Sequence, residues 1–384
     1  MTATDPARTA SPAPPSDLMP TLPGRYYTDP AVFAREQERI LESQWFCAVR
    51  SADLERPGAF RTAAVGRESV LVCRNRSGGV RAFLNVCRHR GARLCTAESG
   101  EVRRSLQCPY HAWTYDLDGR LTAAPNMADM PGIDRRERGL IGVHVREWLG
   151  YVWVCLAQEP PSFDDTVRAA VARRLGDEDA VERYGAEGLA LGRRVSYDVA
   201  ANWKLIIENF MECYHCGTIH PELTDVLPEF ADGHAAQYYV GHGARFGDGV
   251  AGFTVDGTEG FGRIDGLGDE QDRRYYAVTV PPQTFLNLVP DHVIVHRMFP
   301  LAPDRTLIEC DWLYSPGVVE SGADLSHSVE LFDRVNRQDF AACERCQPAM
   351  SSRAYRDGGV LVPVEHHIAE FHSWTAGLLG EPAP

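Results

Sequence analysis

Two short hooks constrain this chain more than any other feature: Cys87-Arg-His89 and, after eighteen intervening residues, Cys108-Pro-Tyr-His111. Two thiols and two imidazoles carried on two β loops can hold one four-donor site. The surrounding texture agrees with a small β domain. ESVLVCRN, VRAFLNVC, LQCPYHAWTYDLDGRL and LGYVWVCL are short runs rich in β-branched and aromatic residues, and Asp118-Gly119 predicts a hairpin turn. Zinc accepts a Cys2His2 set. So does a 2Fe–2S cluster in which one iron takes both thiolates and the other both imidazoles.

A second cluster follows at Glu208–Glu222, ENFMECYHCGTIHPE. Leu205, Ile206, Phe210 and Met211 recur at helical spacing, and on that helix Glu208, Glu212 and His215 share one face. His220 would lie about 140° round a continuous helix. The helix must therefore stop first; Gly217 permits this, and Pro221 pushes His220 out of the α region. The two histidines can then converge on one ion. Cys213 and Cys216 lie off this face and read as packing. Two histidines, one carboxylate and open positions suit non-haem ferrous iron. The helix expected over SHSVELFDRVNRQDFAACERCQ places one carboxylate, Asp339, on its apolar stripe among Phe332, Val335, Cys343 and Cys346. Burying it unpaired costs several kcal/mol. Iron or a buried arginine could be the partner.

CRHRGARL, then CPYHAWTYDLDGRL with Trp113, Tyr115 and Gly119, resembles the Rieske family. Tyr110 stands where the cytochrome-bc type has a disulfide cysteine, so the similarity is to the soluble oxygenase type, and Cys95 reads as packed. Asn202-Trp203-Lys204, Glu208-Asn209, Tyr214-His215, His220 and the distal Asp339 resemble the large subunits of Rieske non-haem iron oxygenases. The resemblance implies an α+β chain, with a Rieske β domain followed by a helix-grip catalytic domain built on an antiparallel sheet. It implies Cys87 and Cys108 on one iron of a 2Fe–2S cluster and His89 and His111 on the other. It further implies His215, His220 and Asp339 on a mononuclear Fe(II), and Asn209 as a pocket residue beside them. Glu212 is implied as a bridge from His215 to the partner subunit's His111 in a homotrimer.

Glu212 replaces the aspartate of most ring-dihydroxylating members. In this the chain is similar to the quaternary-ammonium oxygenases acting on glycine betaine, carnitine, choline or stachydrine, as is the ending SSRAYRDGGVLVPVEHHIAEF. The implied reaction uses dioxygen to hydroxylate a small molecule, in this case an N-methyl group. An aromatic ring-hydroxylating (di)oxygenase or another C–H hydroxylase is the alternative. Tyr275, Tyr276 and Phe285 are candidate faces for a cation. The chain shows neither a nucleotide fingerprint nor plant-type ferredoxin cysteines, so a separate NAD(P)H-dependent reductase is expected to donate electrons.

A net charge of −14 without a dense basic cluster argues against nucleic acid. No apolar run approaches the roughly 18 residues of a membrane span, and MTATDPARTASPAPPSDLMP lacks a signal-peptide core. Eleven cysteines, an odd number, point to a reducing cytoplasm in which cysteines are ligands or simply buried. The expected layout is a disordered tail over 1–24 and an N-terminal helix on the catalytic domain over 25–46. The Rieske domain is expected over 47–160 and the iron domain over 161–384. The helix is drawn from Asp29 to Phe46, and 257–274 reads as a mobile loop.

Overall fold

The computed structural model describes residues 17–126, 134–231, 233 and 240–384. The described chain separates into two compact units. Glu36–Phe163 forms one, and the residues up to Arg35 join Asp164–Pro384 in the other.

The Glu36–Phe163 unit is built on a seven-stranded antiparallel sheet. Its order is Phe46–Arg50, Tyr151–Cys155, Gly142–Trp148, Val80–Leu84, Glu68–Arg74, Ala59–Val65 and Ser99–Glu101. A smaller sheet of Ser105–Gln107, Thr114–Asp116 and Leu121–Ala123 carries the second hook. The hairpin expected at Asp118-Gly119 is present: Asp116 N donates to Arg120 O at 2.9 Å. Gly119 has φ +83°, and a Cβ there would stand 2.4 Å from the Phe83 ring. Only glycine meets both demands. Beneath the hooks lies a core of Leu71, Phe83, Leu94, Leu106, Trp113 and Tyr115.

The other unit holds a six-stranded antiparallel sheet. Its order is Ala190–Val199, Arg305–Tyr314, His292–Ala302, Thr284–Leu288, Arg274–Val280 and Ala244–Arg245. Register and the two-residue side-chain period put Tyr275, Phe285, Asn287, His296, Cys310 and Tyr197 on one face. The helices Trp203–Phe210 and Ser326–Ala349 cover that face. Phe210 stacks on Phe285 at 4.3 Å between ring centroids, and Phe332 meets Tyr275 and His296 at 6.2 and 5.7 Å. Ser326–Ala349 buries Leu331, Phe332, Val335, Asn336, Asp339, Phe340 and Cys343, one helical stripe.

Three local expectations change. Of the tail, residues 1–16 lie outside the described residues. Met19–Pro20, by contrast, pair with Val360–Leu361, and Leu22 is buried, because this segment finds a strand edge and an apolar niche. The N-terminal helix does not reach Phe46. Pro30–Glu36 passes into a π turn over Gln37–Leu41, and Phe46 opens a strand whose apolar run is buried against Tyr151–Cys155. The 257–274 segment is irregular but anchored: Ile264 and Leu267 are buried, and Phe261 N donates to Asp291 Oδ2 at 2.9 Å.

Two candidate metal centres

Each Rieske-like hook is a closed turn. Gly91 N donates to Cys87 O at 3.1 Å, and Ala112 N to Cys108 O at 3.0 Å. Ala112 accepts a left-handed φ of +56°, which folds the second hook back on itself. Cys87 and Cys108 are buried, whereas His89 is exposed and His111 partly so. The two Nδ1 atoms lie 3.1 Å apart. Two buried sulfurs and two outward imidazoles with facing nitrogens fit a cluster that has one thiolate-held and one imidazole-held iron. His89 stacks on Trp113, with centroids 4.9 Å apart. Burial raises the Cys87 thiol, while the Tyr115 hydroxyl, 3.4 Å from Cys87 Sγ, lowers it. The same oxygen accepts from Arg88 N at 3.0 Å, so its proton is free to point at sulfur.

The second centre draws on distant parts of the other unit. His215 Nε2 lies 3.2 Å and His220 Nε2 2.8 Å from Asp339 Oδ1. His220 and Asp339 are buried, and the His215 side chain is 20% exposed. Burial alone would lower the His215 imidazole. Hydrogen bonds to Asp339 and Glu212 outweigh it and carry the group up to about 10. Burial likewise pushes Asp339 up, but both histidines hold it below the ordinary carboxylate range. The pocket thus stabilises positive charge between two imidazoles and a carboxylate, which is where a divalent cation fits. Asn209 Nδ2 is 3.5 Å from His215 Nε2, and its buried Oδ1 meets no hydrogen-bond partner among the described residues.

The route by which the chain brings His215 here differs from the expectation. The helix ends at Phe210, with Met211 as its C-cap, so Glu208, Glu212 and His215 do not share a helical face. Glu208 turns away and accepts from Tyr27 Oη at 2.8 Å, with His372 Nε2 3.0 Å off. Glu212 shapes the turn instead. Its Oε2 accepts from the backbone N–H groups of Tyr214 and His215, and its Oε1 is hydrogen-bonded to His215 Nδ1. His220 sits between two short helices, Cys216–Ile219 and Pro221–Val226, in a non-helical conformation. Cys213 and Cys216 form a disulfide across this turn, contrary to the reading of both as free packing thiols. The turn brings their Cα atoms to 4.9 Å, well within disulfide reach. Cys343 is buried beside Leu205 O, but Cys346 is exposed rather than on the Asp339 stripe.

The sequence reading missed the groups that orient His220. Its Nδ1 lies 2.7 Å from Gln338 Oε1; Gln338 in turn donates to Glu222, which Arg334 pairs at 2.7 Å. The signal available was the adjacency of Gln338 to Asp339 and of Glu222 to His220. Of the aromatic candidates, Tyr275 and Phe285 lie on the helix-covered face. Tyr276 points from the opposite face.

Residues 44–134 match the Rieske [2Fe-2S] domain, and 186–381 match the ring hydroxylating alpha subunit (catalytic domain). The chain is 33% identical to the glycine betaine monooxygenase oxygenase subunit of Pseudomonas aeruginosa, over 92% of this chain and 88% of that one. It is 30% identical to the carnitine monooxygenase oxygenase subunit of Escherichia coli, over 93% of each. A quaternary ammonium Rieske monooxygenase crystallised with L-carnitine superposes with a TM-score of 0.72 at 26% identity, over 94% of this chain and 96% of that one. Among the described residues no helix is long and apolar enough to cross a membrane.

Proposed function

Because the chain belongs to the ring-hydroxylating alpha-subunit family of Rieske oxygenases, we propose that it hydroxylates an N-methyl group of a quaternary ammonium compound of the glycine betaine or carnitine type. The observation that carries this reading is that His215 Nε2 and His220 Nε2 both lie within 3.2 Å of Asp339 Oδ1, in a chain that also presents the Cys87, His89, Cys108 and His111 set. When bound, the 2Fe–2S cluster supplies electrons one at a time, and the mononuclear iron supplies dioxygen activation.

The chain's own residues do the rest. His215, His220 and Asp339 would hold the metal, and a three-donor set of this kind would leave positions for substrate and dioxygen. Asn209 brings an amide next to His215, with a carbonyl oxygen that has no partner among the described residues. A quaternary ammonium, which has no N–H to donate, gains about 0.5–2 kcal/mol from each open aromatic face. Tyr275 and Phe285 each have one face already stacked, on Phe253 and Phe210, so only their opposite faces are candidates. Hydroxylation of its N-methyl gives a carbinolamine, which collapses to the demethylated amine and formaldehyde.

Electrons come from a separate NAD(P)H-dependent reductase. The assembly is a homotrimer in which Glu212 links His215 to the partner subunit's His111. Support for that bridge is local to each unit: His111 is partly exposed, Glu212 is hydrogen-bonded to His215, and neighbouring Tyr214 is 60% exposed.

The test is turnover of the reconstituted system with a panel of betaines and aromatic acids, scoring formaldehyde and dioxygen use. Formaldehyde from a betaine supports the reading. Hydroxylated aromatic product without formaldehyde replaces it with ring hydroxylation.

A further inference from the structure

His215 and His220 belong to two overlapping donor sets. One contains Asp339. The other contains Cys216, whose Sγ lies 3.9 Å from His215 Nε2; one donor atom from each of His215, Cys216 and His220 lies within 4.8 Å of the others. In this structure Cys216 is tied to Cys213, and a disulfide sulfur is not the thiolate that binds metals. Both cysteines are buried. The turn that joins them is closed by Cys216 N donating to Cys213 O at 3.2 Å, independently of the S–S bond.

We propose that Cys213 and Cys216 are a redox switch that selects the metal held at His215 and His220. As a disulfide, the pair leaves two imidazoles and a carboxylate, a set suited to ferrous iron. As a dithiol, it adds the Cys216 thiolate to these donors, and the softer four-donor set of two imidazoles, one carboxylate and one thiolate shifts the preference towards zinc. Oxidation by a peroxide is balanced: the two thiols lose two hydrogens, the S–S bond forms, and hydrogen peroxide becomes two waters. A protein dithiol reverses the step and becomes a disulfide itself. Metal capture by the reduced form releases the Cys216 proton. Zinc is redox-inert, so the reduced, zinc-loaded state is a resting form of the oxygenase. The inference rests on His215 and His220 being ligands, but not on the substrate.

The test uses the full chain with its Rieske cluster in place. Mass spectrometry after alkylation first establishes whether residues 213 and 216 are bonded or free. The mononuclear metal is then removed and the protein reloaded anaerobically with equal Fe(II) and Zn(II). Because zinc binds such donors more tightly than ferrous iron in general, the readout is the ratio: zinc-to-iron should be higher in the dithiol form than in the disulfide form. Cys213→Ser, which keeps a free Cys216 thiol, should show the high ratio without reductant. Cys216→Ser should show the low ratio in both conditions. Loading with Co(II) gives a direct readout: a thiolate charge-transfer band in the reduced wild type that Cys216→Ser lacks. An iron-to-zinc ratio that does not change between the two wild-type forms overturns the switch, and that arm needs no variant to fold. Retention of reloaded metal by His215→Ala or His220→Ala overturns the ligand assignment instead, so the two failures are distinguishable.

Discussion

Asp339 Oδ1 stands 2.8 Å from His220 Nε2, although 119 residues of chain separate them. A carboxylate on the buried stripe of a long helix would cost several kcal/mol if left unpaired. Here it meets two imidazoles and holds a cation-favouring pocket. Replacing His215, His220 or Asp339 with Ala should therefore abolish turnover and remove about one of three irons per chain, with the cluster spectrum retained. Iron analysis beside the visible spectrum checks this, and full iron content in Asp339→Ala would show that another carboxylate is the ligand.

Glu212 both shapes the turn that presents His215 and hydrogen-bonds its Nδ1. Glu212→Gln and Glu212→Ala should keep the cluster reducible by the reductase. Reoxidation of the reduced cluster in a single turnover with substrate and dioxygen should collapse in Glu212→Ala. A wild-type reoxidation rate would remove Glu212 from the electron path.

Tyr115 Oη lies 3.4 Å from Cys87 Sγ. A hydrogen bond to a cluster sulfur stabilises the reduced state and raises the potential. If it is worth about 1 kcal/mol, Tyr115→Phe should lower the cluster potential by about 40 mV for a one-electron couple. Spectroelectrochemical titration measures this. An unchanged midpoint would mean that the hydroxyl serves Arg88 N alone.

His296 is buried on the helix-covered face, with Nε2 3.0 Å from Asn336 Oδ1. Burial lowers its pKa from 6.5 to about 4, although the Asn336 contact pulls the other way. The unfolded ring thus takes up a proton at a higher pH than the folded one. Its contribution is fully present above pH 6.5 and is lost progressively as the pH falls towards about 4. A shift of that size corresponds to about 3 kcal/mol. Denaturant melts across this window should show a shallower acid loss in His296→Gln than in wild type. Parallel pH profiles would mean that the ring titrates normally.

What the sequence alone determined was the chemistry carried by short spacings. The two hooks are local turns, so their donors can be read from residues a few positions apart. Asp339 was legible because helical periodicity reports which side of a helix faces the core, and a lone carboxylate on that side needs a partner. The same reasoning misplaced Glu208, because periodicity does not say where a helix stops. Here it stops at Phe210, and the turn beyond is shaped by the Glu212 carboxylate and spanned by the Cys213–Cys216 bond. Tertiary structure alone decided the contacts between distant segments: Gln338 on His220, Tyr115 on Cys87, and Met19–Pro20 against Val360–Leu361. It also decided that Tyr275 and Phe285, but not Tyr276, share the face covered by Phe210 and Phe332. Each depends on atoms supplied from elsewhere in the chain, which no local window contains. Sequence spacing named the candidate donors; packing chose their neighbours.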